Sequence, residues 1–136
     1  MNAITADAVT ADVGTSETTT STSYTDLATT GPDNVQTLVS GQGCLVFMRA
    51  LALNSVGGSG FQTYFSYAVS GATTLAAADA SSASTSFTTS GNGNSLSSHA
   101  WFVATGSGSH TFRMKYKVAG ASTGTFSSRR LTTKKF

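Results

Sequence analysis

One cysteine, one proline and few charges bound what this chain can be. With Cys44 alone, an internal disulfide framework and a cysteine-based metal knuckle are both excluded. Cys44 stands between Gly43 and the run Leu45-Val46-Phe47, the setting of a small buried apolar residue. A reactive thiol would need cations or a helix start beside it. Only 10% of the residues are charged, yet no stretch reaches the roughly 18 apolar residues of a membrane span. Met1 to Val13 has neither a cationic start nor an apolar run, so no secretory signal is read there. The expectation is a soluble chain, made without export by the general route. Two histidines fall short of the three ligands that a catalytic zinc site takes. The glycine clusters lead into no helix, which makes them turns rather than phosphate cradles. Neither metal nor cofactor is expected.

What the chain has in quantity is hydroxyl: 21 serines and 23 threonines, with 14 glycines, in 136 residues. A polar, weakly charged composition of this kind can signal disorder. Against that, twelve Phe and Tyr residues fall regularly within alternating runs. Threonine, branched at Cβ, suits a pleated surface. The composition is that of a turn-rich β protein with hydroxylated outer faces, and the length is that of one domain.

The clearest run is His110 to Val118. Phe112, Met114, Tyr116 and Val118 share one parity, and Thr111, Arg113, Lys115 and Lys117 the other. Strand side chains alternate between faces, so one face is buried and the other carries a row of three cations. Cys44 to Asn54 is apolar on both parities apart from Arg49. That pattern argues a strand covered on both sides, one face filling a core and the other needing a second layer or a neighbouring subunit. Further strands are expected at Ser21–Thr30, Val35–Ser40, Phe61–Ser70, Ser84–Thr89, Leu96–Thr105 and Thr125–Phe136. Phe126 and Leu131 differ in parity, which predicts a bulge near Ser127-Ser128. Met1 to Thr20 shows no useful periodicity and reads as an extended N-terminal arm (residues 1–20) ahead of a domain over 21–136. The fold class is all-β: a two-sheet antiparallel sandwich, jelly-roll-like, of eight or nine strands.

Charge is distributed unevenly. Residues 1–33 carry Asp7, Asp12, Glu17, Asp26 and Asp33 and no cation, while residues 113–136 carry Arg113, Lys115, Lys117, Arg129, Arg130, Lys134 and Lys135 and no acid. The two ends are expected to meet, within one chain or between copies, with Arg113, Lys115, Lys117, Arg129 and Arg130 as charge-pairing residues.

Chemistry is thinly supplied. His99 and Asp79 with a serine could make a triad on paper, but no nucleophile elbow or other local signature supports one, so the chain reads as no enzyme. The mixture Lys115-Tyr116-Lys117 resembles a single-strand nucleic-acid platform only until parity is applied: Tyr116 points inward, away from the lysines. No nucleic-acid or membrane partner is expected. Sugar binding is the alternative, with Trp101 and Tyr64 as stacking rings and Asn92 as a hydrogen-bonding group, set against the expectation that such rings pack in the core.

Ser66-Tyr67-Ala68-Val69-Ser70-Gly71, Gly108-Ser109-His110-Thr111-Phe112-Arg113-Met114-Lys115-Tyr116, Gly124-Thr125-Phe126-Ser127-Ser128-Arg129-Arg130 and the early Thr22-Ser23-Tyr24-Thr25-Asp26-Leu27 together resemble small β-sandwich virion proteins of tailed bacteriophages. The resemblance covers about residues 20–133 and rests on strand-and-turn patterns. It implies a tumour-necrosis-factor-like jelly roll that self-associates as a homotrimer. It implies a structural role, as a decoration protein on the capsid exterior or a tail-associated adhesion module binding host glycans. The protein would be synthesised in the host cytoplasm and located in the virion. The major capsid protein would be the partner, held by the arm through Ile4, Asp7, Val9, Asp12 and Val13. The subunit interface would be the second face of the long apolar strand, Phe47, Arg49, Leu51 and Leu53.

Overall fold

The computed structural model describes residues 7–136, and over them the alternating runs become nine strands in two antiparallel sheets. In chain order these are β1 (Ala8–Val13), β2 (Glu17–Thr19), β3 (Asp33–Leu38), β4 (Gly43–Asn54), β5 (Gln62–Gly71), β6 (Ala83–Ser86), β7 (Gly93–Val103), β8 (Gly108–Val118) and β9 (Gly124–Lys135). A single 3₁₀ turn covers Asp79–Ser81. One sheet has the order β1-β9-β4-β7, with β2 also on β9; the other is β3-β8-β5-β6. This is the all-β, jelly-roll-like sandwich.

The period-two pattern decides what the sandwich encloses. Val46, Met48, Ala50 and Ala52 of β4 face Phe65 and Tyr67 of β5, Phe112, Met114 and Tyr116 of β8, and Phe126 and Leu131 of β9, all buried. Phe102 meets Phe112 edge-on at 5.1 Å, the arrangement that ring quadrupoles favour. Two polar side chains of β3 also point inward. Asn34 Nδ2 donates to the carbonyls of Val9 (2.7 Å) and Leu131 (2.9 Å), and Gln36 Nε2 to those of Asp7 (3.0 Å) and Thr133 (3.2 Å). They bind the edge of one sheet to β1 and β9 of the other, and their burial is offset by these bonds.

The change of parity in β9 is a bulge. Arg49 pairs with Arg130 and Leu51 with Ser127, so Ser128 and Arg129 together oppose Ala50. Ser128 takes φ 48°, and the extra residue turns the Arg129 side chain into the interior, where it is fully buried.

Three segments differ from the sequence expectation. Residues 8–19 of the extended arm, for which no strand is expected, form β1 and β2, which lie antiparallel along β9, the first as the edge strand of the sheet. Ala11 and Val13 are half-buried there while Val9 on the same parity stays exposed, so the alternation is weak. Residues 21–30 form no strand. β8 already has β3 beside it as far as Arg113, and residues 21–25 only complete that edge, through a bridge between Thr25 and Tyr116 and a bond from Val118 N–H to the Ser21 carbonyl. Gly93 and Asn94 belong to β7 rather than to the loop before it.

Candidate assembly face on the five-stranded sheet

The outer face of the five-stranded sheet can be laid out row by row from the strand register, running from β1 through β9 and β4 to β7. The first row is Ala8, Lys134, Leu45, Trp101; the second is Thr10, Thr132, Phe47, His99; the third is Asp12, Arg130, Arg49, Ser97. Beyond the bulge come Ser127, Leu51, Ser95 and then Thr125, Leu53, Gly93. Phe47 is 45% exposed and Trp101 55%, Val103 and Phe136 are exposed, and Leu45, Leu51 and Leu53 are half-buried. The four residues expected at a subunit interface, Phe47, Arg49, Leu51 and Leu53, therefore share one outward face of β4. Among the described residues no further layer covers it. Contiguous apolar patches of large exposed side chains are uncommon on protein surfaces and are characteristic of interaction sites.

Sequence reasoning missed part of this face. Trp101 was expected in the core or on a sugar. It lies instead outward over Gly43 of the neighbouring strand, its indole where a Cβ at Gly43 would sit, and 5.5 Å from the Phe136 ring. The signal was present in the shared parity of His99, Trp101 and Val103, with Phe102 opposite them.

The acidic beginning and basic end meet within one chain. Along β9, Asp7 reaches Lys135 (3.7 Å), Asp12 reaches Arg130 (2.6 Å) and Glu17 reaches Arg129 (2.9 Å). On the outer face of the other sheet, Asp33 holds Arg113 through both carboxylate oxygens, Asp26 holds Lys115 (2.7 Å) and Asp79 holds Lys117 (2.7 Å). These pairs draw the 21–33 segment and the Asp79 turn over β8, so the row of three cations is covered by its own chain. All six carboxylates of the sequence are thereby engaged. Among the described residues the two cations with no carboxylate partner are Arg49 and Lys134, and both stand on the outer face of the five-stranded sheet.

The remaining predicted residues do not converge. Tyr64 lies on the four-stranded sheet, its ring 4.7 Å from Lys117 Nζ, which also stands 4.8 Å from the Tyr24 ring. Trp101 is on the opposite sheet. Asn92 is at the turn before β7, nine residues and about 30 Å of strand from Trp101. The structure therefore does not bring Trp101, Tyr64 and Asn92 together on one surface. His99 is exposed on one sheet and Asp79 on the far side of the other, so the paper triad is likewise not assembled. His110 is buried, with Nδ1 at 3.0 Å from the Gly108 carbonyl and Nε2 at 3.0 Å from Thr73 Oγ1. A carbonyl only accepts, so Nδ1 is the nitrogen that donates to Gly108. Among the described residues no three His, Cys, Asp or Glu side chains are grouped to hold a metal, and no helix is long and apolar enough to cross a membrane.

Of the residues assigned to capsid attachment, Asp7 and Asp12 are held by Lys135 and Arg130, Val9 is partly exposed at the sheet edge, and Val13 is partly buried against β9. Ile4 lies outside the described residues.

No protein-family model matches the chain, and no curated protein matches it in sequence. Solved structures do share its architecture. The structure of Eiger TNF from S. frugiperda aligns over 96% of this chain and 93% of its own, with a TM-score of 0.51 at 10% identity. A structure of infectious bursal disease virus, Gt strain, aligns over 93% of this chain with a TM-score of 0.51 at 11% identity. This chain spans only 32% of that one. At such identity the likeness establishes the fold: a jelly-roll-like sandwich of the kind found in a TNF protein and in a virus.

Proposed function

We propose that the chain is a non-enzymatic virion structural protein of a tailed bacteriophage, a homotrimeric decoration protein on the outside of the head, bound to the major capsid protein. The observation that carries this reading is the uncovered apolar face around Phe47, Leu51 and Leu53. A sandwich whose core is already filled keeps a second apolar face only where something covers it. A second copy supports about 800 Å² of contact per partner, the usual size of a specific interface. The sandwich shared with a chain of infectious bursal disease virus, and the resemblance to phage virion proteins, support the structural role. Attachment to the capsid would use the exposed edge of β1, whose free backbone groups can pair with a strand of the capsid protein.

Two measurements test it. Sedimentation equilibrium should find a trimer for the native chain and a folded monomer for Phe47→Asp, whose side chain points away from the core; assembly unchanged in that variant would overturn the interface. Immuno-electron microscopy of the phage should place label on heads, and label confined to tails would overturn the decoration role.

A further inference from the structure

The third row of the outer face places two guanidiniums side by side with one carboxylate: Asp12, Arg130, Arg49, Ser97. Asp12 gives both oxygens to Arg130, at 2.6 and 3.1 Å. Arg49 is left with the Ser95 hydroxyl at 3.3 Å. Like charges directly opposite on a sheet repel. Arg49 and Arg130, with His99, Ser97, Thr132 and the Phe47 ring, border a hollow of about 280 Å³. It is electropositive, edged by hydroxyls and set inside the apolar stripe.

Among the described residues no side-chain carboxylate lies within ion-pair distance of Arg49. All six carboxylates are engaged elsewhere, and residues 1–6 contain no acidic side chain. Arg49 lies between Phe47 and Leu51 on the same face of β4, so a copy that covers both covers Arg49 as well. A charge taken out of water without a partner is costly. The second copy's acidic side chains are held by its own cations in the same way.

We infer that a small oxyanion binds in the Arg49–Arg130 hollow, and that self-association through this face takes the anion up, the second copy closing the site. This rests on the face being a subunit interface. The guanidinium fork of Arg49 offers paired donors matched to two oxygens of such an ion, and the Ser97 and Thr132 hydroxyls offer further donors at the rim.

Sedimentation equilibrium of the full chain, in sodium phosphate and in sodium chloride at equal ionic strength, reads the association constant. Each anion bound by the assembled form alone multiplies that constant by one plus its concentration over its dissociation constant, about tenfold per site filled when phosphate stands at about nine times that value. Arg49→Met keeps the apolar stem and removes the charge. It is expected to associate in chloride as tightly as the native chain does in phosphate, and equally in both salts. Equal association of the native chain in the two salts overturns the anion, as does a phosphate dependence retained by Arg49→Met. A native chain that stays monomeric in both salts overturns the subunit interface itself, a result distinct from the other two.

Discussion

Arg129 and Glu17 meet at 2.9 Å beneath the N-terminal strands, the guanidinium fully buried and the carboxylate close to the surface. The bulge at Ser128 brings the arginine there. Once inside, it donates to the carbonyls of Thr29 (3.3 Å) and Gly31 (3.4 Å) and to the Thr15 hydroxyl (3.2 Å), and lies 5.5 Å from the Tyr116 ring. One side chain thus ties β2 and the 28–31 turn to the core end of β8. It does so through bonds that leave only its Nε without a partner.

Arg129→Ala should therefore destabilise the fold by roughly 3 kcal/mol, through lost packing and carbonyls left without donors. Arg129→Lys, a point charge with no fork, should recover only part of the loss. Urea unfolding of the three proteins measures both, and an alanine variant within about 0.5 kcal/mol of the native chain would deny Arg129 this role.

Acid should loosen the structure. The Arg130 hydrogen bonds hold the Asp12 carboxyl below its ordinary value. The Thr29 hydroxyl and N–H, with Arg129, do the same for Glu17, and Lys117 and Tyr24 do so for Asp79. Each folded carboxyl binds its proton less readily than the unfolded one. Stability is thus fully present above the ordinary carboxylate range, about pH 4, and is lost as the pH falls through the folded values. The urea midpoint should fall between about pH 5 and pH 2, and less steeply in the Asp12→Asn, Glu17→Gln, Asp79→Asn triple variant. A midpoint that held or rose on acidification would contradict the sign. Added salt should weaken the exposed Asp12 contribution first.

Gly43→Ala should move the tryptophan and little else. The new methyl would occupy the place of the Trp101 indole, which lies on the open side of the sheet and can swing away. Since Trp101 is the chain's single tryptophan, its fluorescence should shift to the red with a change in melting temperature of only a few degrees, roughly 1 kcal/mol. An unshifted spectrum would mean that the ring does not rest on Gly43.

Cys44 should be silent while the protein is folded. Its side chain is buried, and burial pushes the thiol up to about 11. A disulfide reagent at pH 8 should therefore label it only at the rate of unfolding. Rapid stoichiometric labelling of the native protein would show that the thiol is reachable.

How far these features could be read from the residues depended on whether alternation or context fixed them. β8 and β4 were legible because large apolar side chains mark their faces, and the bulge because Phe126 and Leu131 fall out of step. β1 was not, because an edge strand draws its hold from the backbone of β9 and from Asp12–Arg130 as much as from Val9, Ala11 and Val13. Residues 21–25 look like a strand by composition, and only the early end of β3 shows that they fill a gap in an edge. The apolar second face of β4 could be read from its two-sided run, whereas the lone charge of Arg49 became visible only when every acid had been paired in space.

The position of β9 between β1 and β4 has a consequence for the making of the protein. The last strand in chain order is the one on which the first two and the longest one depend. While it is still within the ribosome, β1 has no neighbour, β4 has one side open, and the buried arginine that holds the 28–31 turn is absent. The five-stranded sheet can close only once β9 is free to pair, in a step that joins β1 to residues more than a hundred positions away. Folding of that kind is slow compared with local helix formation, and until it finishes the unpaired strands are open to other chains.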